Sequence, residues 1–195
     1  GERWTASSRD GVLWSGDNPA FEAHNVPSAP VSGFSKVYRG SGILVGCSSD
    51  FSGLWYSSDD GATWSQSNVS TGSFDDVVSN GSSLYVAVGN GGIYYGNGTS
   101  WTMVSGVVGD YKSVAFGSSR FTAVGPTGLV SSANGSSWMN PFPPFTDIVH
   151  GSGIVQNSRT VGVRWAAVDS DRLYYCNDGT SWHAVDGTSG RFTAL

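Results

Sequence analysis

One short pattern, Asp/Asn-Gly-x-Ser/Thr-Trp, occurs four times and constrains this chain more than any other feature. The copies are Asp60-Gly61-Ala62-Thr63-Trp64, Asn97-Gly98-Thr99-Ser100-Trp101, Asn134-Gly135-Ser136-Ser137-Trp138 and Asp178-Gly179-Thr180-Ser181-Trp182. Their tryptophans stand 37, 37 and 44 residues apart. A unit recurring at this length marks a repeat architecture, in which each unit buries its apolar faces against its neighbours. Each copy reads as a tight turn between two strands. Gly supplies the positive φ such a turn needs, and the short polar side chains bond turn amides.

The flanks repeat as well. In the 34–67 repeat, Phe34–Val37, Ile43–Cys47, Leu54–Ser57 and the segment from Trp64 read as four strands. The 74–104 repeat uses Phe74–Val78, Leu84–Val88, Ile93–Tyr95 and Trp101–Val104. The 111–141 repeat uses Tyr111–Val114, Arg120–Val124, Leu129–Val130 and Trp138. The 145–186 repeat uses Phe145–Ile148, an elaborated stretch through Val163–Val168, Leu173–Tyr175 and Trp182–Val185. The third strands are apolar at consecutive residues, as in Leu54-Trp55 and Ile93-Tyr94. Strands apolar on both faces are buried on both, which predicts sheets stacked face to face.

Ser57-x-Asp59-x-Gly61-x-Thr63-Trp64 resembles an Asp-box, also called a BNR repeat. In the other copies Ala133 is read at the Asp position, and the boxes ending at Trp101 and Trp182 are shorter. The resemblance implies an all-β, small β-propeller fold. It implies little about function, because Asp-boxes occur in sialidases, lectins, assembly factors and viral proteins.

Residues 1–24 hold a partial repeat. Gly11-Val12-Leu13-Trp14-Ser15 matches Gly53-Leu54-Trp55-Tyr56-Ser57, and Ser15–Phe21 reads as a worn box. Residues 22–33 read as a Pro- and Ser-containing loop. The partial repeat lacks its first strand. Phe192-Thr193-Ala194-Leu195 begins 10 residues after Trp182, as Phe74 follows Trp64 and Tyr111 follows Trp101. The C-terminal strand is therefore expected to complete the N-terminal blade, which removes the open sheet edge. The expectation is one domain over 1–195 with five four-stranded blades: 34–67, 74–104, 111–141, 145–186, and 192–195 with 1–24. Six blades is the alternative if the long segment 150–168 hides further strands.

Composition bounds the function. Charged residues are 13% of the chain against about a quarter in average proteins. The net charge of −5, with only Lys36 and Lys112 as lysines, gives no basic face for nucleic acid. No run of 18 apolar residues offers a transmembrane helix, and the start shows no signal-peptide pattern. The chain opens in a strand-like segment, as expected of a piece of something longer. Cys47 and Cys176 fall at different positions of different repeats and read as free buried thiols.

No motif calls for catalysis. A sialidase site needs three arginines and a Tyr–Glu pair. Here eight Arg are scattered, and Glu2 and Glu22 are the only glutamates. No carboxylate spacing points to a glycosidase pair, no Gly-x-Ser-x-Gly elbow occurs, and His24, His150 and His183 are isolated. Gly89-Asn90-Gly91-Gly92 leads into a strand and reads as a turn, not a phosphate loop. The third positions of the first strands are Lys36, Asp76, Ser113, Asp147 and Ala194. These innermost strands would line a central channel, where Asp76 and Asp147 are candidate ligands for Ca²⁺. The plainer alternative is solvated carboxylates or a Lys36–Asp pairing. Asn68, Asn80, Asn97 and Asn134 begin N-x-Ser/Thr sequons, and Asn-Gly turn chemistry accounts for three of them.

Recognition is the expected role, carried by a rigid ring with variable loops. Few charges and many Ser, Gly, Tyr and Trp suit sugars or polar receptors. Candidate contacts are the loop-adjacent aromatics Trp14, Phe142, Phe145 and Tyr175; the stiff loop Pro141-Phe142-Pro143-Pro144 would hold Phe142 outward, with packing between the prolines as the equal alternative. The box residues Trp64, Trp101, Trp138 and Trp182 read as core. In kind, the chain is similar to the receptor-binding spikes of the corticoviruses, membrane-containing marine bacteriophages. That resemblance implies a non-enzymatic head on a virion or extracellular surface, an adjoining stalk, an oligomeric spike, and a host surface glycan or receptor as partner. A resemblance to the tachylectins implies instead a lectin for amino sugars, against which the unequal loops count. A glycosidase and a photosynthetic assembly factor are the remaining readings.

Overall fold

A computed structural model describes residues 3–7, 12–17, 22–25, 33–142, 147–150, 154–156, 159–161, 165–168, 172–178 and 181–187. Side chains are described for 33–139, 147–150, 165–168, 172–178 and 181–187. Strands β1 (Arg3–Ser7), β2 (Val12–Asp17) and β3 (Glu22–Asn25) form a three-stranded antiparallel sheet. Four four-stranded antiparallel sheets follow. The first takes β4 (Lys36–Arg39), β5 (Leu44–Cys47), β6 (Leu54–Ser57) and β7 (Ser65–Gln66) in order. The next takes β8 (Phe74–Ser79), β9 (Tyr85–Gly89), β10 (Gly92–Gly96) and β11 (Trp101–Met103). The third takes β12 (Ser113–Gly117), β13 (Arg120–Gly125), β14 (Gly128–Ser132) and β15 (Met139–Phe142). In the last repeat, β16 (Asp147–His150) is followed by a two-stranded hairpin of β17 (Ile154–Gln156) and β18 (Arg159–Val161). Its sheet then resumes with β19 (Trp165–Val168), β20 (Leu173–Cys176) and β21 (Trp182–Ala184), in the order β16-β19-β20-β21. The fold is all-β, and no helix among the described residues is long and apolar enough to cross a membrane.

The first strands stand side by side, β4 against β8, β8 against β12, and β12 against β16. The core lies between sheets. Val45 and Leu54 pack with Phe74, Tyr85 and Trp101 of the next sheet. Val78, Val86 and Ile93 pack with Val114, Phe121 and Val130. Val124 and Leu129 pack with Ile148, Trp165 and Trp182. The third-strand residues Leu54, Ile93 and Leu129 are wholly buried, each stabilising by about 1.5–3 kcal/mol. Trp64, Trp101 and Trp182 are buried and Trp138 half-buried against this core, the packing role expected of them. Cys47 and Cys176 are buried thiols.

Four expectations are corrected. Glu22–Asn25 is a strand paired with β2, not loop; it follows Phe21 in sequence as Ser65 follows Trp64. Phe142 ends strand β15, opposite Leu129, and is not in a loop. Pro141 is accommodated there because β15 is an edge strand with a register shift, where a missing N–H is tolerated. The strands predicted to open at Phe34 and Tyr111 begin instead at Lys36 and Ser113, and these two aromatics are buried plugs ahead of them. Ala133 does not stand in for the box Asp. Asn134 does, with Oδ1 accepting the N–H groups of Ser136 (3.1 Å) and Ser137 (2.9 Å). Among the described residues of 150–168 the additional strands are the hairpin of β17 and β18. The expected C-terminal strand 192–195 lies outside the described residues.

Candidate functional site

The box turns join the third and fourth strands of the sheets. In the full copy, Ser57 Oγ accepts the Gly61 N–H at 2.8 Å and donates to Asp59 Oδ1 at 2.7 Å. Asp59 accepts the Thr63 N–H at 2.9 Å and the Thr63 hydroxyl at 2.6 Å. The Thr63 hydroxyl, then its N–H, then Ser57 pull the exposed Asp59 carboxyl from its ordinary 3.8 to about 2. The shorter copies keep the same logic. Asn97 Oδ1 accepts from Thr99 and Ser100. Asp178 Oδ1 accepts the Ser181 N–H and the Cys176 thiol, so Cys176 fills the place of Ser57. The glycines of the second and third turns, Gly98 and Gly135, seat on the preceding sheet. A Cβ on Gly98 would lie 3.3 Å from Val45 Cγ2, and one on Gly135 would lie 3.4 Å from Val86 Cγ2.

The four first strands close around a cavity of about 380 Å³, a size suited to a small ligand. Its polar lining comes from Lys36, Asp76, Ser113, Asp147 and His150, and its aromatic lining from Tyr38 and Phe116. The register residues expected to line a central channel, Lys36, Asp76, Ser113 and Asp147, thus meet at one cavity. Asp76 is the hub. Its Oδ1 accepts the Val77 N–H at 2.8 Å and lies 3.4 Å from Lys36 Nζ. Its Oδ2 accepts the Val114 N–H at 2.9 Å and the Ser113 hydroxyl at 3.1 Å. Burial pushes its carboxyl above the ordinary range, opposed by Lys36 and the Val114 N–H. Asp147 Oδ1 accepts the Ile148 N–H at 2.8 Å. His150 meets Trp165 edge to face, with ring centroids 4.7 Å apart. Gly117 leaves it room, since a Cβ there would lie 1.9 Å from the imidazole. Among the described residues no group of three or more His, Cys, Asp or Glu is placed to hold a metal ion.

The aromatic candidates are not gathered at this cavity. Tyr175 is half-buried on β20 and packs on His183 of the neighbouring strand, with centroids 5.3 Å apart. Trp14 and Phe142 lie on β2 and β15, and their side chains are outside the described residues, as is all of Phe145. Sequence reasoning missed Tyr38, Phe116 and His150. Alternation from Lys36 reaches Tyr38, whereas Phe116 and His150 stand three residues beyond Ser113 and Asp147, where a period of two does not point.

No protein-family model and no curated protein matches the chain. Solved structures do. A computationally designed protein, Ika8, aligns over 98% of this chain and 61% of its own at 11% identity, with a TM-score of 0.68. The GH74 enzyme of Niastella koreensis aligns over 93% of this chain and 29% of its own at 16% identity, TM-score 0.69. The extracellular domain of the putative hybrid two-component system BT3049 from B. thetaiotaomicron aligns over 95% and 30% at 14% identity, TM-score 0.62. The chain thus spans under two thirds of each of these proteins. At such identities the likeness concerns fold, and the fold is a β-propeller.

Proposed function

We propose that this protein is a non-catalytic recognition domain that binds a surface glycan or receptor at the mouth of the axial cavity. The observation that carries the reading is the cavity itself, a preformed concavity of about 380 Å³. Its carboxylates are engaged by backbone amides and Lys36, while Tyr38 and Phe116 supply aromatic surface. Such a site offers fixed polar contacts at little ordering cost. The same reading takes the ring as five blades, closed by 192–195 onto the N-terminal sheet. It places the domain on a virion or cell surface, joined to a stalk in an oligomeric spike. Trp14, Phe142, Phe145 and Tyr175 are proposed as outer contacts. A Ca²⁺ ion at Asp76 and Asp147 is a further proposal. It requires the Lys36 ammonium to give way, and calorimetric titration of Ca²⁺ tests it: no binding heat removes it.

The test of the main reading is binding of the purified domain to an array of glycans and bacterial surfaces, beside Asp147→Asn and Lys36→Gln. Selective binding weakened by both variants supports it. Absence of selective binding, or release of a cleaved product, overturns it.

A further inference from the structure

Arg120 departs from the residue type at the equivalent position of the two preceding sheets. Phe121 stands opposite Ser132 as Leu44 stands opposite Ser57 and Tyr85 opposite Gly96. The residue before each is therefore equivalent: Ile43, Leu84 and Arg120, with Arg164 at the same sequence position of the fourth repeat, outside the described residues. The first two are apolar and sit beneath the turn glycine of the following sheet. A Cβ on Gly98 would lie 3.5 Å from Ile43 Cγ2, and one on Gly135 would lie 3.5 Å from Leu84 Cδ2. In the first two four-stranded sheets an aliphatic residue packs here, and the third supplies a guanidinium instead.

That guanidinium is poorly satisfied. Arg120 Nε is buried without a hydrogen-bond partner, and Nη2 donates only a long bond of 3.4 Å to Ser131 Oγ. No carboxylate among the described residues is recorded within ion-pair distance of it. An uncompensated, half-buried cation is costly, and a locally broken rule with no structural gain points to a functional position. The side chain lines a cavity of about 270 Å³ with Ser131, Ser132, Asn134, Ser137 and Trp138. The Trp138 indole N–H is committed to Gly135 O at 2.7 Å, so its remaining offer to a ligand is its ring. Asn134 spends its Oδ1 on the turn, which leaves its amide N–H groups as donors.

We infer that this cavity binds a carboxylate-bearing sugar residue. Arg120 takes the carboxylate with its planar fork, which matches that group in geometry and charge. Trp138 takes the apolar face of the ring, and Ser137 and the Asn134 amide take hydroxyls. The cavity shares no residue with the axial one, so the two readings fail separately.

The experiment is titration of the intact chain with glucuronic acid, glucuronamide, glucose and glucose 6-sulfate, followed by Trp fluorescence and ligand-observed NMR. The acid is expected to bind at least tenfold more tightly than the amide or glucose. Arg120→Leu restores the residue type of Ile43 and Leu84; it is expected to lose that binding tenfold or more while melting no lower than the parent. Arg120→Lys is expected to retain part of it. Equal binding of acid and amide, preference for the sulfate, or unchanged binding in Arg120→Leu overturns the inference. So does absence of saturation at about 10 mM acid, tenfold above a millimolar Kd.

Discussion

The Asp76 carboxylate accepts the Val114 N–H at 2.9 Å, across 38 residues of sequence and from one first strand to the next. With the Ser113 hydroxyl on the same oxygen and Lys36 on the other, one side chain ties three successive sheets at their inner edges. The backbone of β12 has a donor to satisfy there, and a buried carboxylate needs donors. Each meets the other's requirement.

Removing Asp76 should therefore destabilise more than its position beside a cavity suggests. Asp76→Ala leaves the Val114 N–H and the Ser113 hydroxyl unsatisfied, at about 2–4 kcal/mol in total. Asp76→Asn keeps an acceptor and should lose less. Urea unfolding of both variants measures this, and a loss under about 0.5 kcal/mol for the alanine variant would refute the tie.

Asp59 should titrate far below an ordinary carboxylate, at about 2. Its folded value is depressed, so its contribution to stability is complete above the ordinary 3.8 and is lost as pH falls toward about 2. Carboxyl-carbon NMR titration reads the midpoint directly. In Thr63→Val, which deletes the hydroxyl donor, the midpoint should move upward.

The third box should depend on Asn134 and not on its neighbour. Asn134→Ala removes the acceptor for two turn amides and should cost about 1 kcal/mol. Ala133→Asp, on an exposed residue, should change stability by no more than about 0.5 kcal/mol. Thermal melts of the pair decide; the reverse order would restore the alignment that reads Ala133 at the box position.

Cys47 should be inert in the native protein. Burial pushes its thiol up to about 12, opposed mainly by the Ser35 hydroxyl 3.5 Å away, and the thiolate is the reactive form. Alkylation should proceed only as the sheet opens, and so should accelerate with urea in step with unfolding. Rapid labelling without denaturant would contradict this placement.

Gly117→Ala should disturb the axial cavity from outside its carboxylates. The new methyl would meet the His150 ring at 1.9 Å, and overpacking of this kind costs about 1–3 kcal/mol. His150 ring NMR shifts should change along with the melting temperature; unchanged shifts would refute the contact.

What the chain determines alone is what local chemistry controls. The 37-residue spacing of Trp64, Trp101 and Trp138, the Asp/Asn-Gly turns and the doubly apolar third strands at Leu54 and Ile93 all act within a few residues of themselves. They suffice to specify repeated antiparallel sheets stacked face to face. Tertiary structure decided what depends on juxtaposition. That Asn134 carries an acceptor and Ala133 none is legible locally; that the third turn bonds through Ser132 and Asn134, one position later than alignment on Ser57 and Asp59 gives, is set by where the strand ends. Nothing local shows that Asp76 spends its oxygens on Val114 and Ser113 of another sheet. Nor does Arg120 look unusual beside Phe121 until the sheets are superimposed and its equivalents in the two preceding sheets prove to be Ile43 and Leu84. Hydrogen bonds and uncompensated charge are properties of partners, and these partners meet only when distant segments pack.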